Sequence, residues 1–112
     1  MAFEAKFELV NGVAKITLSG KLDAAAAPTF QTEVEKAVAQ KAKRLVLVIK
    51  DLQYISSTGL RVLIFAKQKM GSAVDLYLIG PQPLVAQTIQ MTGFNHSVII
   101  LDEYQAAEIE NV

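Results

Sequence analysis

The sequence predicts an α/β fold: a mixed, mostly parallel sheet of about five strands, with an N-terminal hairpin as its antiparallel edge, packed with about four helices. An uninterrupted aliphatic run at residues 45–49 is typical of a central strand that is buried on both faces. From residue 27 onward, segments with helical spacing alternate with short aliphatic runs, which indicates parallel strands joined by helical crossovers. The length suits one domain over residues 1–112.

The first two predicted strands form the hairpin. Residues 3–10 alternate apolar and polar side chains, which indicates an edge strand with one wet face. Asn11-Gly12 is a strong signal for a tight hairpin turn, and residues 13–19 supply the second strand. The chain is therefore expected to open with an antiparallel pair.

A helix and the central strand come next. Residues 20–23 are predicted to form a turn, with Asp23 placed to cap the helix that follows. Apolar residues at helical spacing predict that helix over residues 27–40. The central strand is expected at residues 44–50, with residues 51–55 as the connection after it.

The remaining elements repeat the alternation of helix and strand. The predicted segments are a helix from residues 56–58 to 70, a strand at 74–79, a helix at 83–92, a strand at 98–101 and a last helix starting at 102–103, with Ala106, Ala107 and Ile109 on its inner side. The second helix has more apolar residues than one buried stripe needs, including Val62, Phe65 and Ala66. This surplus is explained either by a partner surface or by packing against the neighbouring helix.

The composition argues against several function classes. Eleven Lys and Arg residues balance eleven Asp and Glu residues, whereas nucleic-acid binders normally carry a basic surplus. The aliphatic runs are far too short to span a bilayer, and the charged N-terminal residues lack a signal-peptide core. We expect a cytoplasmic protein that binds neither nucleic acid nor membrane and is a monomer or a weak dimer.

No residue pattern predicts catalysis. The chain has no cysteine, and its only histidine, His96, has no acid or serine pattern around it. The acids are scattered, and the glycines stand singly rather than in a phosphate-binding loop. We therefore expect no enzyme activity, no cofactor and no metal.

One segment stands apart, because the adjacent hydroxyls of Ser56, Ser57 and Thr58 follow the central strand at the start of a helix. Open α/β folds place functional groups at this edge of the sheet. Any one of these hydroxyls is as well suited to capping the helix as to modification. A phosphoryl group on Ser57 would meet the positive end of the helix dipole. Arg61, four residues further on, would either pair with it or remain a solvated charge.

The charges are unevenly distributed along the chain. Residues 36–69 contain eight Lys or Arg residues and a single acid, Asp51. This basic stretch indicates either an acidic partner surface or ordinary solvated helix faces.

Residues 55–63, Ile-Ser-Ser-Thr-Gly-Leu-Arg-Val-Leu, resemble the signature of STAS domains, the bacterial anti-sigma-factor antagonists. The resemblance extends through residues 20–23, 91–94 and 103–109 and so covers essentially the whole chain. It implies partner switching. The unmodified domain binds a serine kinase that is also an anti-sigma factor, and phosphorylation by that kinase releases the complex. A metal-dependent serine phosphatase then restores the hydroxyl.

The resemblance also implies roles for particular residues. The family's phosphate acceptor lies two positions before the glycine, which is Ser57 here, and Thr58 is a secondary candidate. Asp23 matches a family aspartate close to the acceptor. The other partner-binding positions that the resemblance implies are Ser56, Gly59, Leu60 and Arg61.

The chain departs from the family pattern at one position. Many members have Asp immediately before the acceptor, where this chain has Ser56. The departure leaves the partner open, because STAS modules also regulate targets other than sigma factors. The alternative function is an unphosphorylated STAS scaffold module of a transporter or a stressosome-like complex, in which Ser57 only caps a helix.

Overall fold

Five strands form one sheet whose order, β1-β2-β3-β4-β5, follows the chain in a computed structural model that describes residues 2–111. The strands are β1 Glu4–Val10, β2 Val13–Leu22, β3 Arg44–Ile55, β4 Asp75–Ile79 and β5 Ile99–Leu101. β1 pairs with β2 antiparallel, and every later pair is parallel. The predicted mixed sheet, with β3 at its centre, is confirmed.

Four α-helices occur within the same described residues. They are α1 Ala27–Ala39, α2 Ser57–Met70, α3 Pro83–Met91 and α4 Ala106–Ile109, and a short 3-10 turn spans Phe94–Ser97. The β1–β2 turn has positive φ at both Asn11 and Gly12, the conformation that matches the twist of a tight hairpin.

The larger core lies on the face of the sheet that α1, α2 and α3 cover together. Alternate residues of the strands point into it, because successive side chains of a strand face opposite ways. Its fully buried members include Ile16, Leu18, Leu45, Leu47 and Leu78 from the sheet and Phe30, Val34, Ala66 and Ile89 from the helices. The first three helices are thereby fixed side by side on one face.

The opposite face carries a smaller cluster of Val13, Val46, Tyr77, Ile79 and Ile109. α4 contributes Ile109, and the Nη1 atom of Arg44 donates to the carbonyl oxygens of Glu108 (2.6 Å) and Ile109 (3.1 Å). These carbonyls belong to the last turn of α4, where intrahelical donors are missing. One arginine therefore holds the C-terminal helix on the sheet.

Two strands are longer than predicted, and the predicted turn at residues 20–23 and connection at residues 51–55 are wrong. β2 continues to Leu22 and β3 to Ile55, and these two residues pair with each other. Two register shifts between β2 and β3, each with the extra residue on β3, accommodate the extension. Since Leu22 and Ile55 are both buried, the burial gained by pairing outweighs the turn preference of Gly20.

The last helix is shorter than predicted. It starts at Ala106, not at residues 102–103, and of its residues only Ile109 is buried, so the inward placement of Ala106 and Ala107 is wrong. Glu103 pairs with Lys50, and Tyr104 packs on the second face of the sheet. These two contacts hold the chain in a non-helical path before α4 begins.

The start of α2 lies directly against the end of β2. The amide of Ser56 donates to the carbonyl oxygen of Leu22 at 2.8 Å. A Cβ atom on Gly59 would lie 2.7 Å from Leu22 Cγ and 3.0 Å from Leu22 O, closer than van der Waals contact permits. The helix reaches this position because residue 59 has no side chain.

We expect Gly59→Ala to destabilise the protein. Alanine favours a helix over glycine by about 1 kcal/mol, but overpacking against a strand costs about 1–3 kcal/mol, so the steric term wins. Urea unfolding measures the difference. In a Leu22→Ala background the penalty should shrink, because the closest contact is removed. A Gly59→Ala protein as stable as the parent would contradict the tight packing.

We expect unfolding to become easier between pH 10 and 12 because of Tyr104, whose hydroxyl donates to Glu110 Oε2 at 2.6 Å. Burial, then this hydrogen bond and the charges of Glu110 and Glu8, raise the pKa of Tyr104 from 10.0 to about 12. The unfolded chain therefore loses this proton first, and stability that is present below pH 10 is lost as the pH rises towards 12.

Ultraviolet titration of phenolate absorbance, together with urea unfolding across this range, measures the effect. Tyr104→Phe should remove the component that titrates near pH 12, whereas Tyr54→Phe should retain it. Retention of that component in Tyr104→Phe would assign it to another tyrosine.

Candidate functional site

The three hydroxyl residues after β3 have different environments. Ser56 is the N-cap of α2, and its Oγ accepts a hydrogen bond from the amide of Gly59 at 3.1 Å. Ser57 is the first residue of the helix and is exposed, and Thr58 is half-buried. Ser57 and Thr58 form no side-chain hydrogen bond with any described residue. The capping role belongs to Ser56, which leaves the hydroxyl of Ser57 free.

The first turn of α2 retains donors for an anion. The amide of Gly59 is used by Ser56 Oγ, and the amide of Leu60 is used by Ser56 O. The amides of Ser57 and Thr58 have no acceptor within residues 2–111. Because the positive end of the helix dipole lies at the same turn, a negative charge attached to Ser57 is favoured there.

Arg61 lies one turn after Ser57 on α2 and is exposed. Its guanidinium group has no ion-pair partner in the part of the chain that the structure describes. Residues four apart on a helix are surface neighbours, so this cation is within the reach of a group on Ser57. The structure thus places Arg61 where the sequence spacing predicted it.

Asp23 lies at the same edge of the sheet, immediately after the residue that bonds to Ser56. The prediction that it caps α1 is wrong, because the N-cap of α1 is Ala26. Instead, Asp23 Oδ1 accepts from the amide of Ala26 at 2.9 Å and holds the turn that leads into the helix. Asp23 is exposed and lines a shallow depression together with Phe3 and Lys21.

Gly59 and Leu60 lie beneath this surface. Both are buried, with Leu60 only 6% exposed. Gly59 sets the distance between α2 and β2, and Leu60 anchors the first turn of α2 in the larger core. Their structural role is to fix the position of the exposed residues Ser57 and Arg61.

The apolar surplus of α2 is divided between two environments. Val62 and Ala66 are buried in the larger core, whereas Phe65 is only partly buried. Phe65 borders an open groove between α1 and α2, with a volume of about 570 Å³, which Thr58 and Arg61 also line. Core packing therefore explains Val62 and Ala66, whereas a partner surface remains a prediction for Phe65 alone.

Sequence reasoning missed Tyr54 as a member of this surface. Its side chain is 42% exposed near the end of β3, two residues before the N-cap of α2. The prediction placed it in a connection, although an aromatic residue beside the buried Leu52 and Ile55 is typical of a continuing strand. An exposed aromatic side chain is suited to contact a protein partner.

Among residues 2–111, no helix is both long and apolar enough to cross a bilayer. Within the same span, His, Asp and Glu side chains do not gather in groups of three or more that could hold a metal ion. The candidate site therefore consists of hydroxyls, backbone amides, one carboxylate and one guanidinium group.

Comparisons with known proteins establish the family and the fold. The family model for the STAS domain matches residues 4–107. BtrV of Bordetella bronchiseptica, a protein assigned as an anti-sigma factor antagonist, is 31% identical over 99 residues, which cover 88% of this chain and 85% of BtrV.

Two solved structures share the fold. A Thermotoga maritima protein assigned as an anti-sigma factor antagonist superimposes with a TM-score of 0.84 at 21% identity, covering 96% of this chain and 95% of that chain. The Bacillus cell fate determinant SpoIIAA in its phosphorylated form gives a TM-score of 0.67 at 19% identity, covering 88% of this chain and 90% of that chain. The family match and the likeness to BtrV show that this chain belongs to the STAS domain family, and its fold is that of the anti-sigma factor antagonists.

Proposed function

We propose that this chain is an anti-sigma-factor antagonist that works by partner switching, with Ser57 as its phosphate acceptor. The observation that carries the proposal is that two neighbouring serines have different environments. Ser56 caps α2, and Ser57 is exposed with no hydrogen-bond partner among the described residues. A kinase has access to Ser57 Oγ without first breaking a structural contact.

A phosphate on Ser57 changes the surface and leaves the fold in place. The added charge meets the unpaired amides of Ser57 and Thr58, the helix dipole and Arg61, all of which favour an anion. The same charge repels a partner that binds the uncharged hydroxyl surface. Phosphorylation therefore breaks the complex while the domain remains folded.

The partner in the unphosphorylated state is a serine kinase that is also an anti-sigma factor. Asp23 follows Leu22, whose carbonyl oxygen accepts from the Ser56 amide, and Asp23 Oδ1 accepts from the amide of Ala26. Asp23 serves in docking the kinase, and Thr58 is the secondary acceptor. A serine phosphatase acts on the phosphorylated form. The existence of SpoIIAA, a protein of the same fold, in phosphorylated and unphosphorylated forms supports this assignment.

We expect Ser57→Ala to bind the partner persistently and Ser57→Asp to bind it weakly. The alanine variant has no acceptor oxygen, whereas the aspartate variant carries a permanent negative charge at the same turn. The measurement is a pulldown of each variant from the native cells, with intact-mass spectrometry of the recovered chain. The parent should carry a single phosphate at Ser57, and the matched control Thr58→Ala should still be phosphorylated.

Equal recovery of the partner by Ser57→Ala and Ser57→Asp would contradict the switch. An unmodified parent chain held by transporter or scaffold subunits would favour the alternative function, a structural STAS module.

We also expect the two serines to differ in their effect on stability. Ser56→Ala removes a helix cap and should lower the free energy of unfolding by about 1 kcal/mol. Ser57→Ala should change it by less than about 0.5 kcal/mol, because an exposed side chain without partners is removed. Urea unfolding distinguishes the two. A larger loss for Ser57→Ala would show that Ser57, not Ser56, caps α2.

A further inference from the structure

Three surface depressions join into one groove along the line where α1 and α2 meet. The first, of about 570 Å³, begins at Thr58 beside the Ser57 end. It shares Glu35 and Phe65 with a second depression of about 260 Å³. The second shares Val38 and Lys69 with a third of about 300 Å³. We call this continuous depression the seam groove; it runs the length of both helices.

The walls of the seam groove are built by regular helical spacing. Residues three or four apart line up on one side of a helix. On α1 these residues are Pro28, Gln31, Glu35 and Val38, and on α2 they are Arg61, Phe65 and Lys69. Each wall therefore presents a straight row of side chains, the arrangement into which a third helix packs.

The floor of the seam groove is apolar. Ala27 and Val62 are buried at the Ser57 end, and the half-buried Met70 and Val74 lie at the far end. Between them, the half-buried Phe65 of the α2 wall adds further apolar surface. An open apolar floor between two rows of helical residues is suited to the apolar side of an amphipathic helix.

The rim of the seam groove is predominantly cationic. Arg61, Lys69 and Lys41 line it from the Ser57 end to the far end, against a single acid, Glu35. Within residues 2–111, none of these three cations has an ion-pair partner. They belong to the basic stretch at residues 36–69, of which the Ser57 site uses only Arg61. An acidic partner complements this rim.

The spacing of the two α2 cations sets the spacing required in the partner. Arg61 and Lys69 are eight residues apart, which is about 12 Å along a helix axis. Acidic residues about eight positions apart on a partner helix match this distance. The 14 residues of α2 make a groove about 21 Å long, enough for four turns of a bound helix.

We propose that the seam groove is the docking site for an amphipathic helix of a partner protein, with acidic residues about two turns apart facing Arg61 and Lys69. Identifying that partner with the kinase bound at Ser57 rests on the proposed function. Because Ser57 lies one turn before Arg61, a phosphate there withdraws Arg61 from the partner helix. The seam groove therefore binds the partner helix more tightly when Ser57 is unphosphorylated.

The test is an NMR titration of the full ¹⁵N-labelled chain with a stapled synthetic peptide of about 15 residues. The peptide has leucine at every third or fourth position and two glutamates about eight residues apart, beside the leucine face. The control peptide has lysine in place of both glutamates. Shifts should be confined to α1 and α2, and the glutamate peptide should bind about tenfold more tightly than the lysine peptide.

Charge-reversal variants assign the contacts. Arg61→Glu combined with Lys69→Glu should weaken the glutamate peptide about tenfold, and Ser57→Asp should weaken it a few-fold. Lys6→Glu is the matched control, because Lys6 is an exposed lysine on β1 away from the seam groove, and it should leave binding unchanged. Both Arg61 and Lys69 are exposed, so their substitution should not affect folding.

The proposal would be overturned by no saturable shifts at millimolar peptide, by equal affinity for the two peptides, or by shifts centred outside α1 and α2. Self-association of the labelled chain through the seam groove would also overturn it, in favour of a second copy as occupant. The titration contains no kinase. A negative peptide titration therefore does not bear on the phosphorylation of Ser57, which the pulldown tests. A negative pulldown likewise does not bear on the seam groove, which the titration tests.

Discussion

The close approach of α2 to the end of β2 is the constraint on which the candidate site depends. The bond from the Ser56 amide to Leu22 O and the bare Cα of Gly59 bring the helix against the strand. This contact fixes the axis of α2, and with it the directions of Ser57 and Arg61. It also sets the line along which α2 meets α1. A larger residue at position 59 would displace all of these features together.

The periodic segments could be predicted from the sequence, because the spacing of their apolar residues indicates a buried central strand and three amphipathic helices. The ends of β2 and β3 could not. There, Gly20 and Asp51 favour turns locally, and only pairing with a distant strand makes the extended form stable. The predicted start of α4 was wrong for the opposite reason. The local pattern favours a longer helix, but Glu103 and Tyr104 are held by contacts with the sheet.

The segment that contains the candidate site could be chosen from the sequence, whereas the different roles of its three hydroxyls could not. Ser56, Ser57 and Thr58 are chemically equivalent in a sequence, and only the backbone geometry shows which oxygen meets the Gly59 amide. The seam groove was likewise beyond sequence reasoning, because its walls come from two helices whose relative position is set by tertiary packing. The signals visible in the sequence were the basic stretch at residues 36–69 and the apolar surplus of α2.

The strand order has a consequence for folding. Each strand pairs with the strand that precedes or follows it in the chain, but three of the four pairs are parallel and are joined by long crossovers. Most contacts therefore join residues that are distant in sequence, and such topologies fold more slowly than helical bundles. β5 and α4 are added last, at one edge and on the second face. Their packing partners are β4 and the cluster on the second face. The candidate site is thus insulated from fraying of α4.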